Sequence, residues 1–233
     1  MTPLLFDPGE RWEYSRSIDW AGLVVEAIAG ARLDAVFAER IFGPLGMNDT
    51  GFSLTPAMAE RRASMHAFNA AGELAPNEFG SSENPEVLMG GSALLGTALD
   101  YMRFLRMWLN EGHGEFARVL KPETVRYASR NHLGSLPIRP LPAVDPARTR
   151  AFELLPGLKK SWALSYMRLE QDAPTGRAAG SLSWAGLGNL YFWIDPKNGV
   201  AGFWAAQYLP FLHETAVAAF EAFETEIYRA RCG

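Results

Sequence analysis

The hydrophobic pattern of the sequence changes near residue 160, and this change limits the fold more than any other feature. Before it, several stretches have apolar residues every three or four positions, which is the spacing of one face of an α-helix. After it, Trp162, Leu164 and Tyr166 alternate with other residues, as in a β-strand. The sequence therefore predicts an α+β chain, with a helical region at 1–160 and antiparallel strands plus a C-terminal helix at 161–233.

The strongest helical signal begins at Thr97. Thr97 and Asp100 have the spacing of an N-terminal cap, and apolar residues then recur at helical intervals from Tyr101 onwards. Residues 48–91 have weak periodicity, and they are predicted to be largely irregular. Apolar spacing, or a proline suited to a first turn, predicts further helices at 17–29, 33–42, 213–229 and near Pro122.

Apolar and aromatic runs predict strands in the last third of the chain. The residues at 195–199 combine a proline with Asn198 and Gly199, so the runs on either side are predicted to form a hairpin. The five prolines of residues 134–157 predict a loop or lid that precedes the strands. The predicted strands cover residues 161–169, 182–184, 189–194 and 199–208.

Composition and charge exclude several classes of protein. The 22 basic and 26 acidic residues give a net charge of −4, which argues against a nucleic-acid partner. No apolar run reaches the roughly 18 residues that a membrane-spanning helix requires. The 4 histidines lack metal-ligand spacing, and the glycines around Leu187 lie between predicted strands, so no metal or cofactor is expected. The sole cysteine, Cys232, leaves the cellular compartment open.

The common signatures of a serine nucleophile are absent from the sequence. Residues 90–94 come nearest to a Gly-x-Ser-x-Gly elbow, but Leu94 stands where the last glycine is needed. No serine is followed three residues later by lysine, so the Ser-x-x-Lys motif is missing as well. Three local features remain: a turn leading to Tyr14 at 8–15, a glycine-rich segment at 89–97, and a serine-, tryptophan- and glycine-rich segment at 180–189. Each of them, taken alone, is also explained by turns or core packing.

Taken together and in this order, the three segments resemble the serine β-lactamase and penicillin-binding-protein superfamily, and within it most closely the family VIII carboxylesterases. Residues 8–52 resemble the helical domain of that family, 90–104 its Gly-Gly segment before a helix, and 180–196 the strand that walls its active site. The resemblance implies a β-lactamase/transpeptidase-like fold and acyl transfer through a serine nucleophile, without a cofactor.

The resemblance also assigns roles to particular residues. Tyr14 matches the motif tyrosine, which accepts or donates a proton, and Leu187 would present its backbone N–H to the oxyanion. Arg16 stands where many members have asparagine. Residues 184–186, Trp-Ala-Gly, replace the Lys-Thr-Gly strand motif, and loss of the lysine favours neutral esters over β-lactams. The expected catalytic residues are therefore Tyr14 and Leu187, and the expected substrate-binding residues are Arg16, Trp184, Ala185 and Gly186.

The nucleophile that the resemblance implies has no counterpart in this sequence. In the family, the Ser-x-x-Lys helix lies a long stretch before the tyrosine motif, whereas Tyr14 here follows only 13 residues. We therefore expect the C-terminal portion of a longer serine hydrolase that acts on a small-molecule ester or related acyl substrate. Two alternatives stay open: a shortened, non-catalytic homologue that binds a partner or oligomerises, and an enzyme that uses other residues.

A chain that lacks these N-terminal elements is expected to have an incomplete sheet. The elements that would precede Tyr14 in the family pack beside its sheet and its C-terminal helix. Without them, apolar faces and a strand edge would be exposed to water. The sequence therefore predicts self-association, or binding of a missing N-terminal segment.

Overall fold

A computed structural model describes residues 4–69, 71–80 and 85–232 of the 233-residue chain. Within these residues there are seven α-helices, one π-helical turn and eight strands. The helices are α1 (Ser17–Ala29), α2 (Leu33–Phe37), α3 (Gly43–Leu45), α4 (Pro56–Glu60), α5 (Ala98–Leu109), α6 (Pro122–Ala128) and α7 (Glu214–Cys232). The strands are β1 (His66–Phe68), β2 (Leu74–Pro76), β3 (Lys160–Trp162), β4 (Met167–Leu169), β5 (Leu182–Gly186), β6 (Leu190–Asp195), β7 (Val200–Trp204) and β8 (Tyr208–Leu209). In this part of the chain, no helix is both long and apolar enough to cross a membrane.

Five antiparallel strands form the main sheet, in the order β3-β4-β5-β6-β7, and helices pack on both of its faces. On one face, Leu105 and Trp108 of α5 pack with Phe192 of β6. On the other face, Phe220 of α7 packs with Trp193 of β6. Neighbouring residues of a strand point to opposite faces, so the aromatic run of β6 serves both cores. A smaller sheet has the order β2-β1-β8, and the arrangement as a whole confirms the predicted α+β class.

Local signals located most of the predicted helices correctly. The helix predicted at 17–29 is α1, and Gly30 ends it in the left-handed region at a φ of 64°. The hydroxyl of Thr97 accepts a hydrogen bond from the backbone N–H of Asp100 at 3.2 Å, which confirms the predicted cap of α5. The helix predicted at 33–42 is instead divided into α2 and the π-helical turn Ala38–Phe42.

The single strand predicted at 161–169 is wrong, because the chain folds back on itself there. β3 and β4 form an antiparallel hairpin in which Trp162 lies opposite Met167. Ser165, in the turn between them, has a φ of 70°, which a continuous strand does not allow. The apparent alternation across this stretch therefore combines two short strands and a turn.

Residues 48–91 are largely irregular, as predicted, but they also contain α4, β1 and β2. β1 pairs antiparallel with β2, and it pairs parallel with β8, which lies far along the chain. A strand of three residues shows too few positions for alternation to be recognised. Its partner in β8 is brought to it only by the folded chain, so the small sheet left no signal in the local sequence.

The end of the proline-rich stretch 134–157 is held against the main sheet by a buried lysine. The side chain of Lys160 is only 6% exposed. Its Nζ donates hydrogen bonds to the carboxylate of Glu153 at 3.1 Å and to the carbonyls of Leu154 and Leu155 at 3.0 and 2.8 Å. Because all three donors of the ammonium group are used, this clamp fixes the loop in place.

Two buried polar groups tie α7 to the main sheet. The guanidinium of Arg177 donates from Nε to Glu224 at 2.9 Å and from Nη2 to the other carboxylate oxygen, and both side chains are 1% exposed. The carboxylate of Asp195 accepts a hydrogen bond from the hydroxyl of Tyr228 at 2.8 Å, and that hydroxyl accepts one from the indole of Trp193 at 3.1 Å. These bonds satisfy groups that would be costly to bury alone.

An exposed apolar stripe lies on α1, a helix that the expectation of an incomplete sheet did not single out. Trp20, Val24 and Ile28 are 71%, 55% and 82% exposed, respectively. Residues four positions apart lie on the same face of a helix, so the three side chains form a continuous stripe. This stripe is unusual for a surface helix, because its apolar side chains face water.

Candidate active site

The structure brings Tyr14 and Trp184 into contact, although they are far apart in the sequence. Their ring centroids are 5.0 Å apart, with an angle of 49° between the ring planes. Tyr14 lies in the non-helical segment just before α1 and is 46% exposed, and Trp184 lies in the middle of β5. The first and third of the segments singled out in the sequence therefore meet, with the tyrosine hydroxyl on an accessible side chain.

Among the residues that the structure describes, none pairs with residues 184–186 of β5 on the side of β4. The β4–β5 ladder contains only two pairs, Met167 with Ser183 and Arg168 with Leu182. Beyond them the chain turns back into β3, so β4 offers no partner to residues 184–186. Backbone groups at an open strand edge are free to bind an extended ligand. The Trp-Ala-Gly segment therefore contacts Tyr14 through its tryptophan. Its backbone groups also form the open edge that could bind a ligand.

A buried asparagine fixes the turn at the end of this open edge. Asn189 has a φ of 59° and is fully buried. Its side-chain amide donates to the carbonyls of Tyr208 and Pro210 at 2.7 and 3.0 Å, and its oxygen accepts from the hydroxyl of Tyr191 at 2.8 Å. Leu187, at the start of the same turn, is 43% exposed. The amide therefore holds the backbone around Leu187 in one position.

An aromatic wall surrounds Trp184, and the sequence reasoning did not find it as a unit. Trp162 of β3 and Phe152 of the proline-rich stretch contact Trp184, with centroid distances of 4.6 and 5.0 Å. Trp12, two residues before Tyr14, contacts Trp162, and the centroids of their rings are 4.9 Å apart. Tyr14 itself contacts Trp184. The spacing of Trp12 and Tyr14 in a non-helical segment was the one available signal. The wall gives the site an apolar surface with no charged group in it.

The other residues predicted to form the site lie in three parts of the structure. Ala185 and Gly186 follow Trp184 in β5, which extends two residues beyond the strand predicted at 182–184. Arg16 is exposed at the residue before α1, and no hydrogen bond or ion pair of its side chain is found within the described ranges. The glycine-rich segment packs on α1, where the N–H of Gly91 donates to the carboxylate of Asp19 at 2.9 Å. It supports the helix that follows Tyr14 and does not line the aromatic wall.

Burial distinguishes the other tyrosines near the sheet from Tyr14. Burial raises the pKa of Tyr191 well above the ordinary value for tyrosine. Burial, and secondarily the carboxylate of Asp195, raises the pKa of Tyr228 in the same direction. Both phenols therefore stay protonated and act as hydrogen-bond donors within the core. Among the described residues, no group of three or more His, Cys, Asp or Glu side chains is placed to hold a metal ion.

Comparisons with known proteins identify relatives of this chain. The lovastatin esterase of Penicillium rubens is 30% identical over 238 residues, which cover 97% of this chain and 58% of that protein. The acyltransferase calJ of Penicillium decumbens is 26% identical over 246 residues, which cover 97% of this chain and 55% of that protein. The unliganded selenomethionyl structure of simvastatin synthase from Aspergillus terreus superposes with a TM-score of 0.80 at 27% identity, covering 97% of this chain and 57% of that one.

The chain thus spans little more than half the length of the relatives that it matches. The match along the chain itself is nearly complete, because the Beta-lactamase family model covers residues 1–226. Its fold is that of the β-lactamase/transpeptidase group, with helices on both faces of an antiparallel sheet. The chain therefore belongs to the Beta-lactamase family, within the superfamily of serine β-lactamases and penicillin-binding proteins.

Proposed function

We propose that this chain supplies the tyrosine and the oxyanion strand of an ester-cleaving or acyl-transferring site, whose serine nucleophile lies outside this sequence. One observation carries the proposal: Tyr14 contacts Trp184 beside the open edge of β5. The family membership, and the relatives named as an esterase and an acyltransferase, support the same chemistry.

In the proposed reaction, the serine oxygen attacks the ester carbonyl and the bond to the alcohol breaks. The proton of the serine passes by way of Tyr14 to the departing alcohol oxygen. The backbone N–H of Leu187 stabilises the negative charge that develops on the carbonyl oxygen. Water, or a second alcohol, then takes the acyl group from the serine. These two acceptors distinguish hydrolysis from acyl transfer.

The surroundings of Tyr14 favour a neutral substrate. Trp184 stands where the family motif has a lysine, and its neighbours Trp162 and Phe152 are aromatic as well. An apolar wall binds an uncharged acyl or alcohol group by burying its surface. A substrate carboxylate would find no cation in this wall. Substrate binding is assigned to residues 184–186 together with Arg16, which is exposed at the residue before α1.

The proposal is tested by expressing the reading frame together with its upstream DNA and measuring hydrolysis of p-nitrophenyl butyrate. We expect an in-frame Ser-x-x-Lys motif upstream, turnover by the longer polypeptide, and no turnover above the buffer rate by this chain alone. Replacing the serine of that motif by alanine should abolish turnover. Turnover that survives this replacement, or a longer polypeptide with no activity on any neutral ester, would contradict the proposal.

The stripe on α1 favours a second candidate function, a module that associates with a second copy of itself. Trp20 and Ile28 are more exposed than apolar side chains of that size usually are. In this case sedimentation velocity would show a dimer whose fraction rises with concentration, and Trp20→Asp would return it to a monomer. A monomer at every concentration, with no binding of the dye ANS, would rule this candidate out.

A further inference from the structure

A cavity of about 380 Å³ lies on the α7 face of the main sheet, between residues 151–156 and the first turns of α7. It is distinct from the accessible edge beside Tyr14, although it adjoins that edge. Most of its wall is aliphatic or aromatic. Its apolar lining residues include Leu154, Leu155, Met167, Tyr191, Val217 and Phe220.

Trp184 connects this cavity with the candidate active site. Its indole contacts the ring of Tyr14 at 5.0 Å, and the same residue lines the cavity. The ladder between β4 and β5 ends at Ser183, so Trp184 is the first residue of the unpaired part of β5. A group bound at the open edge of β5 therefore has an apolar space directly beside it.

The charges around the cavity discriminate against an anion. Glu214 and Glu221 line it from α7, and Glu214 is exposed. The one arginine in the lining, Arg177, is already engaged by both carboxylate oxygens of Glu224. Among the described residues of the lining, a fatty-acid carboxylate would therefore meet negative charge without a free cation, whereas an uncharged acyl chain could lie against the apolar side chains.

Two features keep the cavity open before any ligand arrives. The Lys160 clamp holds Leu154 and Leu155, which form its outer wall. The buried pair of Arg177 and Glu224 fixes α7 relative to the sheet on its other side. A preformed apolar cavity binds a chain without first having to order its own walls.

We propose that this cavity holds the acyl chain of the substrate, and that it selects neutral esters with an extended aliphatic acyl group. The proposal rests on the proposed function, because it places the ester group at Tyr14 and the chain beyond Trp184. It goes further by naming the part of the substrate that is recognised and the surface that recognises it.

Binding to the full chain tests this inference without requiring turnover. Isothermal titration with methyl butyrate, methyl hexanoate and methyl octanoate should show that each added methylene lowers Kd by about three- to fourfold. Octanoate, which has the same chain with a free carboxylate, should bind at least about tenfold more weakly than methyl octanoate. Equal affinity for the three esters would overturn the inference, as would tighter binding of octanoate.

A matched pair of variants tests whether the acyl chain of the ester binds in the cavity. Ala218 lines the cavity at an exposed position of α7, and Ala230 is exposed three turns further along the same helix, outside the cavity. Ala218→Trp should raise the Kd of methyl octanoate at least about tenfold, whereas Ala230→Trp should leave it within about twofold. Val217→Phe fills the cavity from a neighbouring position and should act in the same direction.

The outcomes separate this inference from the proposed function. Thermal unfolding confirms that each variant is folded before its affinity is measured. If Ala218→Trp and Val217→Phe both bind methyl octanoate as the original chain does, the cavity is not the acyl site, whatever the turnover of the longer polypeptide. If the variants bind methyl octanoate more weakly and the longer polypeptide has no esterase activity, the inference that the cavity binds the acyl group is supported and the proposed function fails.

Discussion

Replacing Tyr14 by phenylalanine is expected to lower the kcat of ester cleavage by about a hundredfold or more in the polypeptide that carries the nucleophile. The change removes one hydroxyl, which in the proposed reaction carries the proton between the serine and the departing alcohol. Loss of a positioned general acid–base commonly costs a factor of about 10² to 10⁴. The phenyl ring remains, so the contact with Trp184 at 5.0 Å and the aromatic wall are retained.

The expected signature is a fall in kcat with little change in KM, because phenylalanine preserves the apolar surface that binds the ester. Tyr127→Phe is the matched control. Tyr127 is 55% exposed in α6 and contacts His132, away from the aromatic wall. Equal activities of the two variants would contradict the role of Tyr14. A lower melting temperature for Tyr14→Phe alone would assign the hydroxyl a structural role instead.

Replacing Glu224 by glutamine is expected to lower the free energy of unfolding by about 3–5 kcal/mol, which is the usual cost of removing one partner of a buried ion pair. Arg177 would keep its charge in a site where it is 1% exposed. The side chain of glutamine is uncharged and has only one acceptor oxygen, so it cannot reproduce the pairing of the guanidinium with two carboxylate oxygens. Thr175, whose hydroxyl also donates to Glu224, would lose part of its hydrogen bonding.

Urea denaturation of the purified chain measures this effect, and the same helix offers a control. Glu226 pairs with Arg229 at the surface, where both side chains are at least 65% exposed. Glu226→Gln should change the unfolding free energy by less than about 1 kcal/mol. The double variant Arg177→Met with Glu224→Leu should recover much of the loss, since it removes both buried charges. The interpretation fails if Glu224→Gln is no more costly than Glu226→Gln.

The helices and the central hairpin could be predicted because their causes lie within a few residues. Thr97 caps α5 through the N–H of Asp100, three positions away. Asp195 accepts the N–H of Asn198 at 3.1 Å, and this short bond closes the turn between β6 and β7. The neighbourhood of Tyr14 and Trp184 was expected only from the family resemblance, since nothing in either segment alone requires the contact.

Other features depended on contacts that no local pattern records. Ser165 interrupts what looked like one strand, because the chain turns there and β3 pairs with β4. The wall of Trp12, Trp162 and Phe152 is assembled from three separate regions of the chain. A single sequence gives each of these aromatic residues the same description, namely a side chain that prefers burial.

The sequence by itself therefore determined the class of the fold, the main helices, the β6–β7 turn and the segments that carry the candidate site. These depend on backbone geometry and hydrophobic spacing over a few residues, which every chain expresses locally. Only the tertiary structure decided that β5 has an open edge, that Arg177 is buried against Glu224, and that a cavity adjoins Trp184. These depend on which surfaces come to face each other and on what space is left between them, and packing over the whole chain sets both.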